Sequence, residues 1–241
     1  MTKIVESPLF HLKSLRHGFL TRQFGSNPSC GIYPLSIGRV KQVHSDVIVP
    51  IEDPERLSQY ATTEADGMVT RLSGIALTIV TADCLPILFY DPSQEVVAAL
   101  HAGWRGTQKE ISKKMVGLLC GPFQCDPQQI RVAIGPRIGA CCYEVDQSVQ
   151  DAFSEKRFFI ENAARKGHWY LDLGKTNQLQ LETCGVLAKN IWLSDLCTAC
   201  HVDQFYSWRK EGPTADRQWS FIAKTSQKAS SQQKTSFQSE T

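Results

Sequence analysis

Residues 74–81 (GIALTIVT) form a short apolar run rich in β-branched side chains, a pattern that reads as a buried strand. Residues 85–90 and 95–100 are two further strand-like runs, and Asp91-Pro92-Ser93-Gln94 between them is a turn sequence, so the pair predicts a β-hairpin. Beyond it, Thr107-Gln108-Lys109-Glu110 has the form of a helix capping box. Ile111, Met115, Leu118 and Leu119 then recur on one helical face until Gly121-Pro122 stops the helix. Residues 130–134 read as another strand ending in Gly135-Pro136. Asp146 is placed to cap a helix that buries Val149, Ala152 and Phe153, and a further helix is expected over residues 175–184 with Gly185 at its C-terminal cap. Residues 47–49, 186–193 and 218–223 are strand-like. Strand and helix signals alternate, but hairpins interrupt a pure βαβ rhythm. The expected fold is therefore α/β with α+β character, a single domain in which a mixed β-sheet is flanked by helices.

Composition narrows the function. The chain has 241 residues, 42% of them hydrophobic and 21% charged, as in an ordinary globular protein with a sizeable core. A formal net charge of +2 does not point to a nucleic-acid surface, and no apolar run is long enough to span a bilayer. The first residues, MTKIVESPLFHLKSLRHGF, contain no continuous apolar segment and include a glutamate, so the expectation is a cytoplasmic protein without a signal peptide. Nine cysteines, an odd count, fit a reducing compartment better than a disulfide framework. Residues 225–241 are polar and rich in Ser, Gln and Lys, so they are expected to be a disordered tail behind a catalytic domain of residues 1–224.

The hairpin carries the candidate chemistry. If Tyr90 faces Glu95 across a four-residue loop, Cys84 faces His101, and directly opposed side chains lie about 5 Å apart on one face. A thiolate and an imidazole so placed suit zinc or copper. His44, in Lys41-Gln42-Val43-His44-Ser45, is the best candidate for a third ligand, leaving a fourth position for water or substrate. The predicted helix start at Thr107 points free N–H groups towards His101, where phosphate or carboxylate would bind, and Arg105 would reinforce that anion site.

With these residues in place, the chain resembles the laccase-domain family, also described as multicopper polyphenol oxidoreductases. The resemblance rests on His17-Gly18-Phe19-Leu20-Thr21-Arg22, Gln42-Val43-His44, Ala65-Asp66-Gly67-Met68-Val69-Thr70 and Thr81-Ala82-Asp83-Cys84-Leu85-Pro86. It continues through His101-Ala102-Gly103-Trp104-Arg105-Gly106-Thr107, Ala133-Ile134-Gly135-Pro136, Cys142-Tyr143-Glu144-Val145, Cys197-Thr198 and Phe205-Tyr206-Ser207-Trp208-Arg209. It implies metal ligation by His44, Cys84 and His101, with zinc as the ion and copper as the alternative. It also implies purine nucleoside phosphorylase activity on adenosine, inosine and methylthioadenosine, with adenosine deamination as a side activity; some members are linked to editing of peptidoglycan precursors. The partners implied are a purine nucleoside and phosphate. Arg22, Arg105 and Thr107 are the candidate phosphate contacts, and Asp83 is a candidate for moving protons or orienting a ligand. Two segments depart from the family pattern. QFGSNPSCGIYPLSIGRVK between Arg22 and Gln42 is short, and Thr214-Ala215-Asp216-Arg217-Gln218 is one residue longer than usual.

Rival readings use the same residues. Cys84 and His101 without metal would be the nucleophile and base of a thiol hydrolase. A copper-dependent polyphenol oxidase needs a histidine-rich oxygen site, and the six histidines (11, 17, 44, 101, 168 and 201) include no His-x-His pair. Cys197-Thr198-Ala199-Cys200-His201 matches the c-type haem attachment pattern, although attachment normally requires export. Adjacent Cys141-Cys142 reads as packing, His17 as a capping or turn residue, and Trp208 as a core or rim residue.

Overall fold

The computed structural model describes residues 4–25 and 32–225. The chain runs through β1 (Ile4–Val5), β2 (Leu15–Leu20), β3 (Ser36–Gly38), β4 (Ile48–Pro50), α1 (Leu57–Tyr60), β5 (Gly67–Thr70), β6 (Ile75–Thr81), β7 (Leu85–Asp91) and β8 (Val96–Ala102). It continues through α2 (Trp104–Gln108), α3 (Ile111–Cys120), β9 (Arg131–Ile134), β10 (Glu144–Asp146), α4 (Gln147–Ala152), β11 (Phe159–Glu161) and β12 (His168–Leu171). α5 (Leu173–Thr183), β13 (Ile191–Leu193), α6 (Trp208–Glu211) and β14 (Gln218–Lys224) follow. Where one mixed sheet was expected, the strands form three: a five-stranded sheet in the order β1-β2-β14-β6-β3, a six-stranded sheet β13-β9-β7-β8-β5-β4, and a small sheet β10-β12-β11. The two large sheets are mixed, because β3 lies parallel to β6, β4 to β5 and β13 to β9.

The six-stranded sheet is the middle layer. Leu88, Tyr90, Val97 and Ala99 on one face pack against Phe19, Leu77, Ile79 and Ile222 of the five-stranded sheet. On the other face Ile87, Phe89, Ala98 and Leu100 pack against Ile111, Met115 and Leu119 of α3 and Leu173 and Leu181 of α5. Burial on both faces explains why β7 and β8 read as continuous apolar runs rather than alternating ones.

The hairpin register differs from the expected one. Tyr90 pairs with Val97 and Pro86 with His101, so the loop is Pro92 to Glu95. Asp91 sets it: its Oδ1 accepts from Ser93 N (2.7 Å), Ser93 Oγ (2.7 Å) and Gln94 N (3.1 Å), and Glu95 closes the turn with φ 50°. The slip is two residues, which preserves the face of every side chain. Cys84 thus lies diagonal to His101 instead of opposite it, just before β7 begins.

The helices also differ in detail. The capping box at Thr107 does not start a helix. α2 starts earlier, after Gly103, and breaks at Glu110, which takes φ 59° before α3 begins. Asp146 does cap α4, accepting from Val149 N (3.1 Å), and Phe153 is buried beyond it, but Ala152 is exposed. α5 begins two residues before the expected position, with Asp172 as its cap and Gly185 (φ 92°) after its end. Of the strand expected over residues 186–193 only Ile191–Leu193 forms, because Ala188–Asn190 turns as a 3-10 helix. The polar tail, apart from Thr225, lies outside the described residues. Among the described residues no helix is long and apolar enough to cross a membrane.

His17 on β2 is a buried acceptor. Its Nε2 takes the N–H of Ser7 (2.8 Å) and its ring lies edge-on to Phe10. Burial and the neighbouring His11 hold its pKa down at about 4. The unfolded chain therefore binds a proton at His17 that the folded chain refuses, so its stabilisation is complete above pH 6.5 and is lost as pH falls towards 4. Urea titrations of the protein and of His17→Gln should show a stability gap that narrows between pH 7 and 4 by up to about 3 kcal/mol; a gap independent of pH would contradict the neutral-acceptor role.

Candidate metal centre

The loop between β6 and β7 passes from one large sheet to the other in three residues, Ala82-Asp83-Cys84. Asp83 makes the crossing in the left-handed region, φ 86°. His101 lies near the end of β8, 3% exposed, with Gly103 at the start of α2 immediately after it. His44 comes from the loop between β3 and β4 and is also left-handed, φ 59°. That loop is pinned by Gln42, whose side chain pairs with β6 as a strand would: Oε1 accepts from Val80 N and Nε2 donates to Val80 O, both at 2.9 Å.

These three connections bring the three predicted ligands together. The candidate donor atoms of His44, Cys84 and His101 all lie within 4.8 Å of one another. Cys84 Sγ is 4.0 Å from His44 Nε2, and the two imidazole rings meet edge to face with centroids 4.8 Å apart. Gly103 completes the cradle, since a Cβ there would stand 3.0 Å from Cys84 Sγ and 3.1 Å from His44 Cδ2. Burial opposes charge on both Cys84 and His101, but each partner's charge prevails. The thiol is pulled below its ordinary value and the imidazole raised above its own. One thiolate and two imidazoles are a donor set suited to a borderline-soft divalent ion.

Asp66, the residue before β5, organises this centre and was not singled out as a functional residue in the sequence. It is fully buried, and its Oδ1 accepts from His101 Nδ1 (2.7 Å) and from the N–H of His44 (3.1 Å). Its Oδ2 accepts from Ser45 N (2.5 Å), Ser45 Oγ (2.7 Å) and Val43 N (3.3 Å). Burial pushes this carboxyl up, but His101 and Ser45 outweigh it and hold it below the usual carboxylate range. With Nδ1 of His101 committed to Asp66, Nε2 is the nitrogen left for a metal. In the sequence Asp66 is an acid in the otherwise small and apolar run Ala65-Asp66-Gly67-Met68-Val69, within one of the segments that carry the family resemblance.

The remaining candidates have other tasks. Asp83 is 7% exposed, and both its oxygens are engaged, by Thr198 Oγ1 (2.6 Å) and by the N–H of Arg209 (2.7 Å). Thr107 is not at a helix start but buried inside α2, where Oγ1 accepts from Asn177 and its carbonyl from Gln180, so it faces α5. Arg22 pairs with Glu211 (2.8 Å) and lies over Tyr206, tying β2 to the segment before β14. Arg105 is exposed, with its guanidinium 4.5 Å from the Trp104 ring. Arg217 bonds the carbonyls of Ala215 and Asp216 and lies over Trp208. A cleft of about 330 Å³ opens beside Trp104, lined by Tyr143, Arg165, His168 and Arg209. Burial raises the pKa of Tyr143, and the nearby charges of Cys84 and Asp83 add to that rise.

Comparison with known proteins bears on the family and the fold. A family model described as multi-copper polyphenol oxidoreductase laccase matches residues 27–225. The purine nucleoside phosphorylase YlmD of Geobacillus stearothermophilus is 36% identical over 76% of this chain and 70% of its own length. The adenosine deaminase RL5 of an unknown prokaryotic organism is 34% identical over 76% of this chain and 72% of its own. Among solved structures, the hypothetical protein YfiH of Bacillus licheniformis superposes with a TM-score of 0.81 at 28% identity, covering 88% of this chain and 93% of that one.

Asp66→Asn should keep the fold but weaken metal binding about 10–100-fold, because the His101 tautomer and the His44 loop lose their common acceptor. Competition against a chelator of known affinity measures this; unchanged affinity would show that Asp66 does not serve the centre.

Proposed function

The chain belongs to the multi-copper polyphenol oxidoreductase laccase family, and we propose that it is a zinc-dependent purine nucleoside phosphorylase with adenosine deaminase side activity. The observation that carries this reading is the convergence of the donor atoms of His44, Cys84 and His101 on one point. Zinc would be held by those three side chains and, when bound, would supply Lewis acidity to the reactants. Relatives named as a purine nucleoside phosphorylase and an adenosine deaminase support both activities. The substrates in this reading are adenosine, inosine or methylthioadenosine, together with phosphate.

The protein's own groups would supply recognition. Trp104 and Tyr143 present aromatic surface at the cleft, which suits a purine ring. Arg105 beside Trp104 and Arg209 on the cleft wall bring the positive charge that a phosphate needs. Arg22 and Thr107 drop out of the phosphate site, because the first is paired with Glu211 and the second is buried against α5. Asp83 holds the loop that carries Cys84 against Thr198 and Arg209, a positioning role rather than proton transfer. The catalytic domain is taken to be residues 1–224 and the setting cytoplasmic, consistent with free cysteines among the described residues.

Of the rivals, the thiol hydrolase reading leaves His44 without a purpose, since nucleophile and base would already be complete. A multicopper oxidase would need more imidazoles than the site offers. Among the described residues only two constellations have the donors for a metal ion, and they contain two histidines between them.

Zinc-loaded protein incubated with adenosine should release adenine and ribose 1-phosphate when phosphate is present, and inosine to a lesser extent when it is absent. Cys84→Ala should abolish both reactions while leaving the circular dichroism unchanged. Full turnover by that variant would overturn the scheme, and turnover by metal-stripped protein would favour the thiol hydrolase.

A further inference from the structure

The second of those constellations lies outside the centre just described. The sulfurs of Cys141, Cys142, Cys197 and Cys200 all fall within 4.8 Å of one another. Cys200 Sγ is 3.4 Å from Cys142 Sγ and 3.6 Å from Cys141 Sγ. Four sulfurs placed tetrahedrally around zinc at about 2.3 Å would be separated by about 3.8 Å, so the cluster already has the dimensions of a tetrathiolate site. A disulfide would bring two sulfurs to about 2.05 Å and leave the other two unused.

Local structure builds the cluster from two turns. Cys142 N and Tyr143 N both bond the carbonyl of Gly139 (3.0 and 2.9 Å), which curls the first turn. Cys200 N and His201 N both bond the carbonyl of Cys197 (3.2 and 3.1 Å), which curls the second, and the Cys-x-x-Cys spacing of that turn is a zinc-ligand spacing. The turns are joined where Thr198 N meets the carbonyl of Arg137 (2.9 Å). Gly139 lets the sulfurs approach: its N–H donates to Cys197 Sγ (3.2 Å), and a Cβ there would lie 3.3 Å from Cys141 Sγ. Cys197 is buried with its sulfur in this cluster, which also removes it from the haem-attachment reading. The pairing of Cys141 and Cys142 is likewise more than packing.

We propose that Cys141, Cys142, Cys197 and Cys200 form a second metal site, which binds one zinc ion as a closed tetrathiolate. Each thiol gives its proton to solvent as the ion enters, and no position remains for substrate, so the site is structural. The metal clasps two turns, one of which carries the cleft residue Tyr143 and the other the partner of Asp83. Thr198, next to Cys197, holds Asp83, while Tyr143 follows Cys142, whose carbonyl accepts from Arg209 (3.4 Å).

The test is zinc stoichiometry of the full chain, purified in reductant, by native mass spectrometry and elemental analysis. Wild type should carry about two equivalents, Cys84→Ala about one and the Cys142→Ser/Cys200→Ser variant about one. Cobalt-loaded Cys84→Ala should show intense sulfur-to-cobalt charge-transfer bands that vanish when Cys142 and Cys200 are also changed. Because the double variant could misfold, alkylation of wild type gives an independent readout: exposed Cys141 and Cys200 should react slowly with zinc and rapidly after chelation. Cys84→Ala without zinc, alkylation indifferent to chelation, or a mass showing paired cysteines after purification in reductant would each overturn the proposal; a wild type with one zinc that Cys84→Ala retains would instead count against the catalytic centre.

Discussion

The centre depends on a buried carboxylate. Asp66 lies at the start of β5 in the middle sheet, away from water, where an unpaired charge would cost several kcal/mol. It is tolerated because five groups converge on it, four of them from the His44 loop and one from His101. The same bonds that satisfy Asp66 therefore bring two imidazoles, separated by 57 positions in the chain, to one point. Removing the acid would release the His44 loop and the His101 ring together, which is why they are best regarded as one unit.

The third ligand depends on architecture. β6 and β7 belong to different sheets, so the chain must leave one layer and enter the next between Thr81 and Leu85. Asp83 accepts a backbone conformation that costs on the order of 1 kcal/mol for a residue with a side chain. Its carboxylate then anchors Thr198 and Arg209. The crossing places Cys84 at the mouth between the layers rather than within either. A zinc clasp on Cys141, Cys142, Cys197 and Cys200 would hold the far side of the same anchor, since Thr198 belongs to both.

Much of this was legible in the sequence because local rules and global burial agree there. β6 and the hairpin strands are apolar runs, α3 repeats its apolar positions on one face, and strong turn or stop residues bound them; the ligand triad follows from the hairpin and the family motifs. The register was misread by two residues because the loop could be counted from Asp91 or from Pro92, and only the Asx-type bonds of Asp91 decide between them. Thr107 was misread because Gly103 starts a helix that the capping-box pattern places one turn later. The small sheet β10-β12-β11 was missed because its strands are three or four residues long and partly exposed, so neither period nor hydrophobicity marks them. Asp66 stands in a family segment, but its task is not legible there because its role is long-range: nothing within ten residues reveals that His101 will donate to it.

The choice between a metal and a bare thiol turns on His44. Cys84, His101 and Asp66 alone would satisfy the logic of a nucleophile, a base and a carboxylate that orients the base. Such a triad gains nothing from a second imidazole near the sulfur, and the protein goes to structural expense to supply one. His44 adopts φ 59°, its N–H is taken by Asp66, and Gln42 fastens its loop to β6 at both ends of one side-chain amide. Gly103 then leaves the space between His44 and Cys84 open, where any larger residue would intrude. Strain, anchoring and a reserved gap are accounted for together by an ion that needs three donors around one point, and separately by nothing in the thiol scheme.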